Sequence, residues 1–293
     1  MPDLTVTADD GALTILEFLE RRIPAAPRSY LRQLLKSGKV TAAAGHPLSE
    51  RETVTAGAIL RLPSSRHLLE YLALPARSER ELEILFESRE ILIVNKGAGL
   101  AVHAAPGHEA DNLTRRVTDM IRDRGERFRI APIHRLDLET SGPVLFGKGK
   151  KACGELGKLF MAGAVEKLYL ALAAGRMEGA AILESAVFAK GKEKEAQTRF
   201  RVLAANAAAT LLELVLVTGR RHQIRAQLAG AGHPLFGDHR YGGPCPPPLG
   251  RLFLHCRKLA FTDPFSGTPV AVELPLPEEL ARFCQVLNLA AGH

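Results

Sequence analysis

The chain of 293 residues contains no tryptophan, and aromatic residues make up only 5% of it. Stacking platforms for unpaired bases are therefore scarce, which disfavours a protein built chiefly to coat single-stranded nucleic acid. Cysteine is sparse as well. Cys153, Cys245, Cys256 and Cys284 form no Cys-x-x-Cys pair and no Cys/His set at zinc spacing, so a structural zinc site is not expected. Free thiols in a reducing cytosol fit this usage, and the localisation read from the sequence is cytoplasmic. No apolar run approaches the ~20 residues that a membrane span requires. The opening Met-Pro-Asp-Leu-Thr has no basic region followed by an apolar one, so no secretory leader is read there.

What is present is a chain 46% apolar, with enough greasy surface for a sizeable core and length for one large domain or two smaller ones. The formal net charge of +7 favours an anionic partner such as nucleic acid. That charge is not spread evenly. Leu13, Ile15, Leu16, Phe18 and Leu19 fit one face of a short helix, broken by Pro24 and Pro27. A second helix is expected over Arg28–Ser37, ended by Gly38. Its Leu31, Leu34 and Leu35 face a core, while Arg28, Arg32 and Lys36 recur every four residues on another face, continued by Lys39. From charge alone a solvated face explains that stripe equally well. A strand-like run, Ile59 to Leu62, is stopped by Pro63.

Further along, Leu82–Phe86 and Ile91–Val94 read as strands. They lead into Asn95-Lys96-Gly97-Ala98-Gly99-Leu100-Ala101-Val102-His103, which lacks the ending and spacing of a phosphate-binding P-loop. His103 and His108 have no acidic or cysteine partner at ligand spacing, so no metal site is read there. A helix is expected over Asp111–Arg124, capped by Asp111 or Asn112. The nonapeptide His134–Gly142, His-Arg-Leu-Asp-Leu-Glu-Thr-Ser-Gly, puts Asp137 just ahead of a tight turn, a local way to hold a side chain at the mouth of a cleft. A strand over Val144–Lys148, a helix over Lys150–Met161 and a strand over Glu166–Leu172 follow, the last carrying Tyr169. The apolar strand Leu211–Val217 runs into Thr218-Gly219-Arg220-Arg221-His222-Gln223-Ile224-Arg225, where a helix starting near Arg220 with Thr218 as cap is expected. His222 and Arg225 would share one face of it, Ile224 and Leu228 the core face. Leu252–Cys256, Leu259–Phe261 and Val270–Val272 supply the last strands.

Taken in order, these motifs resemble the RluA family of RNA pseudouridine synthases across about residues 13–285. The resemblance implies an α+β catalytic domain around a mixed, largely antiparallel sheet, over residues 81–293. Residues 1–62 resemble the RNA-binding module named after ribosomal small-subunit protein S-four, with 63–80 as linker. By the same resemblance Asp137 is the nucleophile, Arg225 the arginine paired with it, and Tyr169 packs on the target base and is the candidate general base. Arg135, Arg220 and His222 are expected at the RNA, and Arg28, Arg32 and Lys36 would lie against its backbone. Isomerising uridine breaks the bond from base to sugar, turns the base and rejoins it through carbon 5. That needs an ionised carboxylate near sugar carbon 1′, a cation that favours its charged form, and a pocket for a flipped base. No redox or phosphoryl step occurs, so neither metal nor nucleotide cofactor is called for. Ribosomal RNA of the large subunit is the expected partner, transfer RNA the alternative, with no membrane partner and a monomeric chain.

Two other classes compete. Asp137-Leu138-Glu139-Thr140 superficially resembles the Asp-x-Asp-x-Thr of aspartate-phosphorylating phosphatases, but no apolar strand precedes it and the second acid is Glu. A non-catalytic RNA binder would be favoured by substitution at Asp137 or Arg225, and neither is substituted.

Overall fold

The computed structural model describes residues 2–11, 13–23, 26, 28–73, 82–105, 108, 111–189, 192–247 and 249–289, without the side chains of 28, 29, 67, 70, 73, 186–189 and 192–194. Contacts divide the chain into two units, 1–81 with 106–111, and 82–105 with 112–293.

The first unit is built from β1 (Asp3–Thr5), α1 (Ile15–Arg22), α2 (Arg28–Lys36), β2 (Thr41–Ala42), β3 (Ile59–Arg61) and α3 (Arg66–Ala73). Thr14 starts α1 with a reciprocal cap: its Oγ1 accepts from the Glu17 amide, and the Glu17 carboxylate accepts from the Thr14 amide at 2.8 Å. The apolar stripes fall as their spacing predicts. Ile15, Leu16, Phe18 and Leu19 of α1 are buried against Leu31, Leu34 and Leu35 of α2. Gly38, at φ +65°, ends α2 in the left-handed conformation that lets the next amides turn back onto Leu34 and Leu35. A three-stranded antiparallel sheet in the order β1-β3-β2 backs these helices. Within the stretch expected to be a linker, α3 forms and buries Leu68 and Tyr71 in the same core.

The second unit begins with β4 (Ile84–Glu87) and β5 (Ile91–Lys96), followed by α4 (Leu113–Asp123), β6 (Ile130–Pro132), β7 (Gly142–Lys148) and α5 (Gly149–Met161). Then come β8 (Glu166–Ala174), β9 (Ala180–Ala189), β10 (Lys192–Ala205), β11 (Ala209–Leu216), α6 (Gln223–Gly230), β12 (Leu254–Thr262), β13 (Pro269–Glu273) and α7 (Glu278–Val286). Two antiparallel sheets result, β4-β5-β7-β6 and β13-β12-β8-β11-β10-β9. A parallel bridge between Ser141 and His255 links them, so the class is α+β with mixed, largely antiparallel pairing. Apolar residues fill both faces. Leu92, Val94, Val144 and Phe146 pack with Leu212, Leu214 and helix α6, whereas Ile91, Ile93 and Leu145 pack with α5 and β13. Each such side chain contributes about 1.5–3 kcal/mol on burial.

Several elements depart from the sequence reading. The hairpin β9–β10 was not expected, because Lys192-Glu193-Lys194-Glu195-Ala196 is built of weak strand formers. β12 is one continuous strand whose register shifts between Cys256 and Lys258, rather than two short ones. Helix α6 starts at Gln223 instead of Arg220, since His222 sits at φ +53° and interrupts the helical path. Thr218 does not cap it but bonds the Gln223 side chain at 2.8 Å and receives the Gln197 amide.

Candidate active site

Asp137 stands on the connection between β6 and β7, at the seam of the two sheets. The loop is held at several points. On the entry side the half-buried ring of His134 accepts the Leu145 amide at 3.1 Å and stacks on Phe160, and desolvation pushes its pKa down to about 3, so it stays a neutral acceptor. In the middle, the Leu138 carbonyl accepts from the Gly99 amide and from the Lys96 ammonium. Lys96 is fully buried and also donates to the carbonyls of Gly97 and Leu100, ties that bind the Gly-rich turn to the loop. Burial, with Arg251 nearby, pushes its pKa down to about 7, while Asp137 pulls it the other way. On the exit side the Ser141 hydroxyl accepts from Arg251 and lies 2.9 Å from His255 Nδ1. Leu136 is buried and the Thr140 amide turns back onto the Asp137 carbonyl, which leaves the Asp137 side chain 17% exposed at the surface of the seam.

Two nitrogens face that carboxylate at a distance. Arg225 Nη1 is 3.6 Å away and His222 Nε2 3.7 Å. The sequence expected His222 and Arg225 on one face of the helix; His222 instead precedes α6 in a left-handed turn at φ +53°, and both nitrogens still come within 4 Å of the carboxylate. Yet the firm partner of Arg225 is Asp238, a residue the sequence reading passed over. Asp238 is fully buried and accepts from Arg225 Nε at 2.7 Å and Nη2 at 2.8 Å, while its Oδ1 also receives the amides of Arg240 and Tyr241. This is a two-pronged guanidinium–carboxylate pair, the strongest geometry open to either group. The guanidinium lies over the Tyr241 ring, 5.3 Å from its centre, and the His222 ring meets that ring edge-on.

Tyr169, on β8, is buried with its hydroxyl beside the Cys256 thiol. Burial, then the neighbouring Cys256, and then the Asp137 charge raise its pKa well above 10. Burial likewise pushes the Cys256 thiol up to about 12, so this cysteine is a packing residue and no nucleophile at neutral pH.

The remaining expected residues are more scattered. Arg135 is exposed at the edge of the loop, close enough to His103 to depress its pKa after burial has done so. Arg220 spends its amide on Gln223 Oε1 and its Nε on the Glu195 carbonyl. In the first unit, Arg32 is exposed and pairs with Glu50 at 3.3 Å, Lys36 is exposed, and the side chain of Arg28 lies outside the described residues. Lys96, Asp238, Ser141, Arg251 and His255 complete the surroundings without having been singled out. Lys96 sat inside a motif already quoted; Gly237-Asp238 looks in sequence like any turn.

A family model described as RNA pseudouridylate synthase matches residues 90–230, from β5 to the end of α6. Ribosomal large subunit pseudouridine synthase C of Escherichia coli K12 is 32% identical over 98% of this chain and 97% of its own. The chain belongs to the RluA family of RNA pseudouridine synthases. The synthase is thus an isomerase that converts uridine to pseudouridine in RNA. Ribosomal large subunit pseudouridine synthase D of Nitrosomonas europaea is 34% identical over 71% of the synthase and 65% of its own length. Among solved structures, human RNA pseudouridylate synthase domain containing 4 shares the fold at TM-score 0.59 and 22% identity, covering 72% of the synthase and 95% of that chain.

Proposed function

We propose that this pseudouridine synthase acts on large-subunit ribosomal RNA, with Asp137 as the carboxylate that opens the bond between base and sugar. One observation carries the assignment. Arg225 commits Nε and Nη2 to Asp238, so it presents Asp137 with a positive charge at 3.6 Å rather than a tight bond at the 2.7–2.9 Å usual for such pairs. The carboxylate is thereby balanced electrostatically while its lone pairs stay available, which suits either attack at sugar carbon 1′ or removal of a sugar proton. Tyr169 offers a ring face to a flipped uracil. Its phenol is protonated at neutral pH, so service as general base at carbon 5 requires its own proton to move first. His222 and Arg220 flank the site, and Arg135 reaches RNA outside it.

The choice of RNA rests on the two bacterial relatives, both named for the large ribosomal subunit. Residues 1–62 serve, in this reading, as the S-four-like RNA-binding domain of a monomeric, cytoplasmic enzyme with its catalytic domain at 81–293; of the linker expected at 63–80, α3 packs in the core of the first unit. The exposed Arg32, Lys36 and Lys39 on and after α2 support that reading, with Arg28 at the head of the same stripe.

The test is tritium release from RNA labelled at uridine carbon 5, because isomerisation must displace that hydrogen. Ribosomal RNA from cells lacking the protein should release tritium with wild type. Asp137→Asn should release at least ~10³-fold more slowly while binding RNA equally well. Wild-type rates in Asp137→Asn would sink the assignment of Asp137. Release from transfer RNA but not from ribosomal RNA would replace the substrate.

A further inference from the structure

Beside the Asp137 site lies a concavity of about 680 Å³, lined by residues of β9, of α6 and of the turn after Asp238. His222 and Tyr241 line it, and His222 Nε2 also lies 3.7 Å from Asp137 Oδ1, so the cleft adjoins the catalytic carboxylate. Its size falls within the roughly 300–1,000 Å³ of small-ligand sites. Arg221 and Arg240 stand at its rim, both exposed and neither ion-paired among the described residues. Opposite them is Glu184 of β9, with Oε1 held by Gln197 Nε2 at 3.0 Å and Oε2 without a partner among the described residues. Leu183 and the Tyr241 ring add apolar surface.

A lone anion would be poorly served by a cleft that also presents a carboxylate. A whole nucleotide uses every part: phosphate on the two guanidiniums, base against Tyr241 and Leu183, and an exocyclic amino group donating to Glu184. An RNA whose uridine is flipped into the Asp137 site has to continue through adjoining space. We infer that the cleft bounded by Arg221, Arg240, Tyr241 and Glu184 is a second nucleotide subsite, which takes the residue adjacent to the target uridine and favours a base bearing an amino group. The inference rests on the synthase acting on a flipped uridine at Asp137, and it holds whichever class of RNA is the substrate.

Tritium release from carbon-5-labelled ribosomal RNA would be measured for wild type and for Arg221→Ala combined with Arg240→Ala, across RNA concentration and salt. The double variant should raise KM about tenfold and flatten the salt dependence of RNA binding by about 0.7 in log–log slope, the share of the one single-strand phosphate that both guanidiniums hold. Once the modified uridine is mapped, stem-loops carrying each of the four bases at the positions beside it should show a preference for amino-bearing bases. Glu184→Gln should erase that preference. If wild type is silent on ribosomal RNA, the same series on transfer RNA judges the cleft while the ribosomal reading alone is lost. Unchanged KM and slope in the double variant, on whichever RNA the wild type isomerises, would overturn the subsite.

Discussion

At the scale of single residues, the division of labour around Arg225 is the physical centre of the site. A guanidinium has five donors, and here two nitrogens are fixed by a buried carboxylate so that the third can only approach Asp137. Asp137, Arg225 and Tyr169 could be picked out from the chain because their motifs are long. Asp238 could not, because the feature that distinguishes it, a fork of hydrogen bonds across 13 residues, exists only once the turn folds under α6. Tyr169 gives a test at this scale. Tyr169→Phe keeps the ring and loses the hydroxyl, so RNA affinity should stay within about twofold while tritium release slows by about 10²-fold, the lower range for a lost acid–base group. A variant as fast as wild type would confine Tyr169 to packing.

At the scale of elements, the loop between β6 and β7 is positioned by what flanks it. Gly142 begins β7 at φ +132°, and a Cβ there would lie 2.3 Å from the Cys256 carbonyl oxygen. Gly142→Ala should therefore cost about 3 kcal/mol or more, read as a lowered denaturation midpoint, because neither backbone can retreat without breaking the Ser141–Cys256 bond. An unaltered midpoint would mean that the two sheets are not so closely joined. His255, 1% exposed on the other side of this junction, carries a pH signature. Burial, reinforced by Arg251, pushes its pKa from 6.5 down to about 4. Between those values the unfolded chain binds the proton and the folded one does not, so stability falls as pH drops through that window, by up to about 1.4 kcal/mol per unit from this group. His255→Gln should remove that share of the slope in urea titrations between pH 7 and 4.5. A slope equal to wild type would show that the imidazole titrates normally in the fold.

For the whole molecule, charge and contact pattern point to two tasks. The match to the synthase family model falls largely in the second unit, and in the proposed reading the basic helix face of the first meets phosphates. Replacing Arg28, Arg32 and Lys36 together by Ala should weaken RNA binding and reduce its salt slope by about 2 to 3. The exposed Arg32–Glu50 pair contributes at most about 1 kcal/mol, so folding of the first unit should survive, as far-ultraviolet circular dichroism would check. An unchanged slope would mean that this face is only solvated.

The sequence by itself determined the family and helices α1 and α2 of the first unit, and it singled out Asp137, Arg225 and Tyr169 as candidates, because local periodicity and contiguous motifs are written along the chain. It also placed α4 with Asp111 or Asn112 as cap; in the structure the cap is Asn112, whose side chain accepts the Arg115 amide. The tertiary structure decided what depends on distant segments meeting. The hairpin β9–β10 owes its pairing to β11 rather than to strong strand formers of its own, and α7 is held by Phe236 and Phe253, reached only across the fold. Asp238 under Arg225, Lys96 under Leu138 and His255 beside Ser141 likewise join partners 13, 42 and 114 residues apart. Such bonds are worth most when buried, and burial is a property of the packed chain that no local stretch of sequence carries.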